Sequence, residues 1–238
     1  TDALARCLPA VAGLLLTKEV ETITQVINDP KRPLTAVIGG AKIADKIAVI
    51  YKFIDIADVV VIGGAMANTF LKARGVSVGE SMVDDAELDV ALDVIEKAAE
   101  QARSRKFIFY LPQDGVVATK IESKTTTRIV DWDAHVIASV ESYPAKPRKR
   151  AMQVGVREKI LDIGPFSGAF IAGAMQLVDT VVWKGTMGVT ETSPIQGDVG
   201  PFAHGTELVI DGLVGQYGNK PFSLIGGGDT SAYIEQHA

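Results

Sequence analysis

The sequence predicts an α/β protein built on a doubly wound, mostly parallel six-stranded sheet with helices on both faces. Three observations predict it. Short β-branched runs recur along the chain, each nearly continuous in apolar character, as strands covered on both faces are. Each run is followed by glycine or proline and then by a helical pattern, the alternation that gives parallel strands joined by crossover helices. Finally, 238 residues of which 47% are hydrophobic and 22% charged can bury a sizeable core in one large domain or two small ones.

The elements follow in chain order. The first run, Thr35-Ala36-Val37-Ile38, ends on Gly39-Gly40, and the second, Val59-Val60-Val61-Ile62, ends on Gly63-Gly64. The clearest helix comes next: Leu88, Ala91, Leu92, Ile95, Ala98, Ala99 and Ala102 recur at helical spacing behind an acidic first turn. It leads into the third run, Phe107-Ile108-Phe109-Tyr110-Leu111. Residues 134–140 add a candidate strand in a less regular stretch. Residues 143–157 carry Lys146, Arg148, Lys149, Arg150 and Arg157 with two prolines. That segment reads as a solvated basic loop or, alternatively, as an anion- or RNA-binding patch. The fourth run is Ile160-Leu161-Asp162-Ile163, and the fifth, Thr180-Val181-Val182-Trp183, runs into Gly185 and Gly188. Residues 192–200, rich in glycine and proline, read as a surface loop. The sixth run, Phe222-Ser223-Leu224-Ile225, ends on Gly226-Gly227-Gly228. With no internal repeat and no clear linker, residues 1–238 are expected to form a single domain.

Composition excludes several function classes. The 24 Lys+Arg against 29 Asp+Glu give a formal charge of −5, and no long basic tract argues for nucleic acid as the main partner. One cysteine, Cys7, cannot build a disulfide framework or a cysteine-rich zinc site and fits a reducing, cytoplasmic setting. No apolar run reaches the roughly 18 residues of a membrane span, and the apolar stretch near the start lacks a signal peptide's basic flank. The chain opens on Thr1, which reads as a processed product or a fragment.

Four of the predicted strand ends carry glycine clusters. Turn chemistry alone explains a single one; four on one edge also suit a ligand approaching the backbone, beside helix N-termini that attract phosphate. After Gly40 and Ala41, Lys42 and Lys46 stand four apart, so on the opening turn of a helix they would share a face. They read as a solvated face or as cations for a polyphosphate. The glycine spacing and the Lys-Ser/Thr ending of a P-loop are absent. Asp229, after the triple glycine, would cap its helix or hold Mg²⁺ bridging nucleotide phosphates. His135, His204 and His237 lie in separate segments, so no nucleophile–base pair is in view. Phosphoryl transfer, which needs positioning and cations, fits better than covalent catalysis.

The segments Leu8–Glu19, Ile38–Ile47, Val61–Gly75, Leu161–Pro165, Val181–Glu191, Pro201–Thr206 and Ile225–Ala232 (LPAVAGLLLTKE, IGGAKIADKI, VIGGAMANTFLKARG, LDIGP, VVWKGTMGVTE, PFAHGT, IGGGDTSA) resemble phosphoglycerate kinase, in that family's order along nearly the whole chain. The resemblance is to the C-terminal, Rossmann-like α/β/α nucleotide-binding lobe, with residues 1–30 similar to the interdomain helix. The family's N-terminal substrate lobe, which holds 3-phosphoglycerate, and its closing segment have no counterpart in these residues. The resemblance implies reversible phosphoryl transfer between 1,3-bisphosphoglycerate and Mg-ADP, giving 3-phosphoglycerate and ATP in glycolysis. It implies a monomer, and a chain that alone binds ATP or ADP without turnover. A regulatory or scaffolding relative with weak or no nucleotide binding is the alternative.

Residue by residue, the resemblance implies catalytic roles for Lys42, Lys46 and the turn at Gly228. Gly40, Ala41, Lys184 and Thr230 would lie near the nucleotide phosphates, with Asp229 holding Mg²⁺. Gly64, Ala65, Leu161, Gly185 and Met187 would line the adenine and ribose slot, and Glu191 would accept from the ribose hydroxyls. The chain departs from the family at five positions: Ala65 and Ile160 replace glycines, Lys184-Gly185-Thr186 stands for Asn-Gly-Pro, and Thr190 replaces phenylalanine.

Overall fold

The computed structural model describes residues 11–132 and 153–237. The expected strand at 134–140 and most of the basic segment, residues 143–152, lie outside them. The chain divides into two compact units, Thr1–Lys31 and Arg32–Ala238. In the first, helix α1 spans Leu14–Asn28 and closes with the Asp29 N–H donating to the Gln25 carbonyl at 2.8 Å.

The second unit holds two sheets. Strands β1 (Leu34–Ile38), β2 (Val59–Ile62), β3 (Ile108–Tyr110), β7 (Thr180–Lys184) and β8 (Phe222–Gly226) form a parallel sheet in the order β3-β2-β1-β7-β8. Helices α2 (Ile47–Ile56), α3 (Met66–Ala73) and α4 (Leu88–Ser104) connect its first three strands, and α6 (His204–Val214) lies between β7 and β8 in the chain. The interior strands β1 and β2 are buried at every position, which is why their sequences are nearly unbroken in apolar character. Edge strand β8 is half-exposed throughout apart from the more exposed Phe222.

All six runs expected to be strands are strands, but the sheet has five members. The fourth run, seen as β6 (Lys159–Ile163), instead pairs antiparallel with β4 (Asp114–Ala118), which also pairs antiparallel with β5 (Arg128–Asp131). β4 and β5 left no sign in the sequence: β4 opens on Asp114-Gly115 and has only two β-branched residues, and β5, polar at both ends, buries only Val130. A strand covered on one face shows too few apolar residues to stand out.

The helix expected from Leu88 forms over 17 residues, with its buried stripe at Ala91, Val94 and Ala98. Leu92, placed on that face by its spacing, is 45% exposed. The main core gathers Val37, Val61, Ile171, Met175, Trp183 and Val209 around the parallel sheet. A second core under the antiparallel sheet joins Leu71, Val78, Val117, Val130 and Trp132. Helix α5 (Pro165–Met175) starts over a buried carboxylate: Asp114 accepts from the backbone N–H groups of Phe166 and Ser167 at 2.9 Å each and from the Ser167 hydroxyl at 2.6 Å. No described helix is long and apolar enough to cross a membrane.

Candidate functional site

Strand order reverses between β1 and β7: the chain winds from β1 toward β3 on one side and from β7 toward β8 on the other. The loops leaving β1 and β7 therefore part company and open a crevice at the carboxyl ends, where ligands bind in doubly wound sheets. Register aligns Ile38 with Lys184, and Lys184 with Gly226, so three strand ends stand level there. A cleft of about 790 Å³ opens at this edge and extends to β6.

The cleft brings together most of the site residues expected from the sequence. At its β1 side are Gly40, Ala41 and Lys46; from the turn after β2 come Gly64 and Ala65. Lys184, Gly185, Met187 and Glu191 enter with the segment after β7, Asp229 and Thr230 with α7 (Gly228–His237), and Leu161 with β6. Lys42 and Gly228 are exposed and do not line it.

The helix expected to carry Lys42 and Lys46 on its opening turn begins later. Helix α2 starts at Ile47 with Lys46 as its N-cap, so Lys42 lies on an irregular turn before it. The Lys46 ammonium folds back and donates to the Gly39 carbonyl. Burial, reinforced by the like charge of Lys184, lowers its pKa, while Asp45 works in the opposite sense. Lys46 is thus a cation held where an anionic partner would be favourable.

Glycine serves two purposes at this edge. A Cβ on Gly185, whose φ is +91°, would strike the Gly39 backbone and come within 2.9 Å of the Gly40 nitrogen. Here glycine lets turns pack against turns. At Gly226 and Gly228 a Cβ would meet nothing within 4 Å, so this third turn leaves the backbone open to a ligand. Thr230, 2% exposed, accepts from the Gly185 N–H at 3.0 Å and ties the start of α7 to the β7 turn. Trp183, fully buried beneath, donates from its indole N–H to the Gly185 carbonyl at 2.8 Å.

The wall away from the strand ends contains residues to which sequence reasoning assigned no role. Asp162 is 3% exposed; it accepts from Gly205 N–H at 2.8 Å and Ile163 N–H at 2.9 Å. Burial raises its pKa well above the usual carboxylate range despite those two amides, and Asp114 adds to the rise. Asp162 thereby pins the start of α6, whose Thr206 hydroxyl accepts from Met187 N–H at 3.1 Å. The loop after α3 is stitched to β6 by Ile160 N–H on the Ser81 hydroxyl at 2.8 Å and by a 3.1 Å Lys159–Glu80 ion pair. Asp162 stands inside the LDIGP segment, the only signal that could have drawn attention to it. Its dryness comes from Gly188 and Gly205, distant in sequence, closing over its carboxylate.

Chemically, the edge offers Lys46 and Lys184, the N-terminus of α7 and two exposed carboxylates, Asp229 and Glu191. Among the described residues no cluster of three or more His, Cys, Asp or Glu could hold a metal ion by itself. A single carboxylate suits Mg²⁺, which commonly keeps its waters and shares phosphate oxygens rather than occupying an all-protein cage.

The sequence profile described as phosphoglycerate kinase matches residues 1–238. Among curated proteins, the chain is 37% identical over 236 residues to "Phosphoglycerate kinase" of Moorella thermoacetica, covering 99% of this chain and 52% of that protein. It is 39% identical over 232 residues to the protein of the same name from Pelotomaculum thermopropionicum, covering 98% and 51%. A solved phosphoglycerate kinase from Coxiella burnetii superposes with a TM-score of 0.78 at 32% identity, covering 95% of this chain and 50% of that one. The enzyme from Pyrococcus horikoshii, at 22% identity and a TM-score of 0.65 over 98% and 56% of the two chains, shares the fold. The chain thus spans about half the length of the curated relatives it matches.

Proposed function

The chain belongs to the phosphoglycerate kinase family, and from that premise we propose that its 238 residues are the nucleotide-binding half of such a kinase, taking Mg-ADP or Mg-ATP in the cleft at the strand ends. The observation that carries the proposal is the convergence of Lys46, Lys184, Asp229 and Thr230 on one crevice at the topological switch point. Phosphoryl transfer asks a protein mainly to position its substrates and to offset charge, and these residues have the chemistry for both.

In this reading Lys46 and Lys184 neutralise the polyphosphate, and the α7 amides receive it. Asp229 would hold Mg²⁺, which would supply positive charge to offset that of the phosphates. Lys42, on the exposed turn before α2, is available to the phosphoryl group in flight, together with the Gly228 turn. Gly64, Ala65, Leu161 and Met187 form the nucleoside slot, and the exposed Glu191 carboxylate accepts from the ribose. The transfer itself, between 1,3-bisphosphoglycerate and ADP, belongs to the whole enzyme, with the 3-phosphoglycerate contacts outside these residues. A monomeric, cytoplasmic protein is part of the same proposal.

Calorimetric titration of the chain with Mg-ADP and Mg-ATP tests the reading. Saturable binding with a Kd below about 1 mM is the expected result. No heat with either nucleotide at millimolar concentration would favour the regulatory or scaffolding alternative. That alternative has one observation on its side: Ala65 and Ile160 both put side chains into the slot wall.

A further inference from the structure

Three consecutive residues in the first turn of α6 each tie a different wall of the cleft, and none of the three lines it. The Gly205 N–H donates to Asp162 on β6 at 2.8 Å. The fully buried Thr206 hydroxyl accepts from Met187 N–H at 3.1 Å, and the Met187 carbonyl accepts in turn from Gly64 N–H at 3.2 Å. Thr206 is thus one bond from the segment after β7 and two from the turn after β2, and both of those line the cleft. Glu207 serves the third wall. Its Oε1 accepts from the Tyr233 hydroxyl at 2.5 Å and lies 3.2 Å from His237 Nδ1, both on α7. The two rings stack with centroids 4.2 Å apart. Burial, reinforced by Glu207 and then Asp162, pushes the Tyr233 phenol up from its usual range, so it stays a donor.

Thr230, Tyr233 and His237 stand at i, i+3 and i+7 on α7 and share a face. Among the described residues, the side-chain hydrogen bonds of this helix to other elements come from these three. Thr230 takes Gly185 N–H at the first turn, and Tyr233 and His237 reach Glu207 further along. Tyr233 and Ile234 also pack on the main core, but apolar contact is non-directional and does not fix the roll of a helix. The first turn carries Asp229 and is joined to β8 through Gly226-Gly227-Gly228, a backbone with little stiffness of its own.

We propose that the first turn of α6 is a positioning hub for the cleft, in which Thr206 sets the nucleoside end through Met187 and Glu207 sets the metal-holding end through Tyr233, His237 and α7. The inference deepens the nucleotide reading and rests on it. Because the two arms leave adjacent residues toward opposite ends of the ligand, breaking either one should damage recognition of one end only. Uniform loosening of the fold would weaken both ends together.

The test is calorimetric titration of the 238-residue chain with ADP in Mg²⁺, ADP in EDTA and inorganic pyrophosphate in EDTA. Two affinity ratios are read: ADP over pyrophosphate for the nucleoside end, and Mg²⁺ over EDTA for the metal end. Thr206→Val keeps the shape and removes the acceptor; it should lower the first ratio about fivefold and leave the second within about twofold. Glu207→Leu should do the reverse by similar factors. Thr206→Ser and Glu207→Gln, which keep an acceptor oxygen, should restore much of each ratio. Tyr233→Phe removes only the phenolic donor and should repeat Glu207→Leu at smaller size, so the α7 arm stays testable if Glu207→Leu does not fold. Thr206→Ser serves the other arm likewise, with a smaller loss in the first ratio. Both ratios falling together in one variant, or either arm leaving its own ratio in place, would overturn the hub. If the unmodified chain binds no ADP, the nucleotide reading falls and ligand-free amide shifts decide the hub. Displacement of Gly64 by Thr206→Val and of Asp229 by Glu207→Leu would uphold it, and unmoved signals would overturn it.

Discussion

Trp183→Ala is expected to cost about 3–5 kcal/mol of stability, the range for truncating a large aromatic in a packed core. Trp183 is fully buried in the main core, among Val37, Val61, Ile171 and Val209. Truncation leaves a cavity that the flanking parallel strands cannot close without breaking their ladders. A loss of that size is a large fraction of the 5–15 kcal/mol typical of a whole domain. The same side chain reaches the functional edge, because its indole N–H holds the Gly185 carbonyl at 2.8 Å. Trp183→Phe separates the two roles: most of the packing stays while the hydrogen bond goes. We expect it to cost about 1–2 kcal/mol and to weaken nucleotide binding beyond any change in stability. Urea denaturation beside calorimetric titration reads both effects, and equal midpoints for Trp183→Ala and the unmodified chain would refute the packing argument.

Gly185→Ala should weaken nucleotide binding by about tenfold or more while costing about 1–3 kcal/mol of stability. Two constraints act together. The φ of +91° disfavours any L side chain, and the added methyl would collide with the Gly39 backbone, which has no flexible end to yield. Relief requires the turns after β1 and β7 to separate. That movement displaces Lys184 and breaks the bond from Gly185 N–H to Thr230, so the start of α7 and Asp229 shift with it. A binding loss of about tenfold or more with the chain still folded is expected. Alanine at half-buried Gly226, where a Cβ meets nothing within 4 Å, is the matched control and should cost far less.

The parallel sheet was readable because burial on both faces writes itself into sequence as unbroken apolar runs, as in Val59–Ile62. The partner of Ile160–Ile163 was not. Its apolar run looks the same whether the neighbour is parallel or antiparallel; β4 holds only two valines behind Asp114-Gly115, and β5 is polar at both ends. Glycines at strand ends marked the edge where the cleft opens. Their spacing did not reveal that Gly39 and Gly185 serve turn-on-turn packing while Gly226–Gly228 is the open one, because that depends on which loops meet in space. Lys42 and Lys46 had the spacing of one helical face, yet Gly40 takes φ +109° and the chain turns before α2 begins at Ile47. Lys46 alone therefore reaches the cleft. Asp114 and Asp162 are plain carboxylates in sequence; only the fold shows them dry, each holding the start of a helix. Asp229 was a candidate Mg²⁺ holder from its place after the triple-glycine turn, whereas the role expected of Glu191 came from family resemblance alone, since spacing does not distinguish it from a surface acid.

The central claim is that the crevice between β1 and β7 is the nucleotide site. Amide chemical-shift mapping of the isotopically labelled chain during titration with Mg-ADP addresses it most directly, because it reports where the ligand sits as well as whether it binds. The largest saturable shifts are predicted at residues 39–46, 184–191 and 226–230, on all three strand-end turns. Shifts confined to other surfaces, or a spectrum unchanged at millimolar Mg-ADP, would contradict the claim.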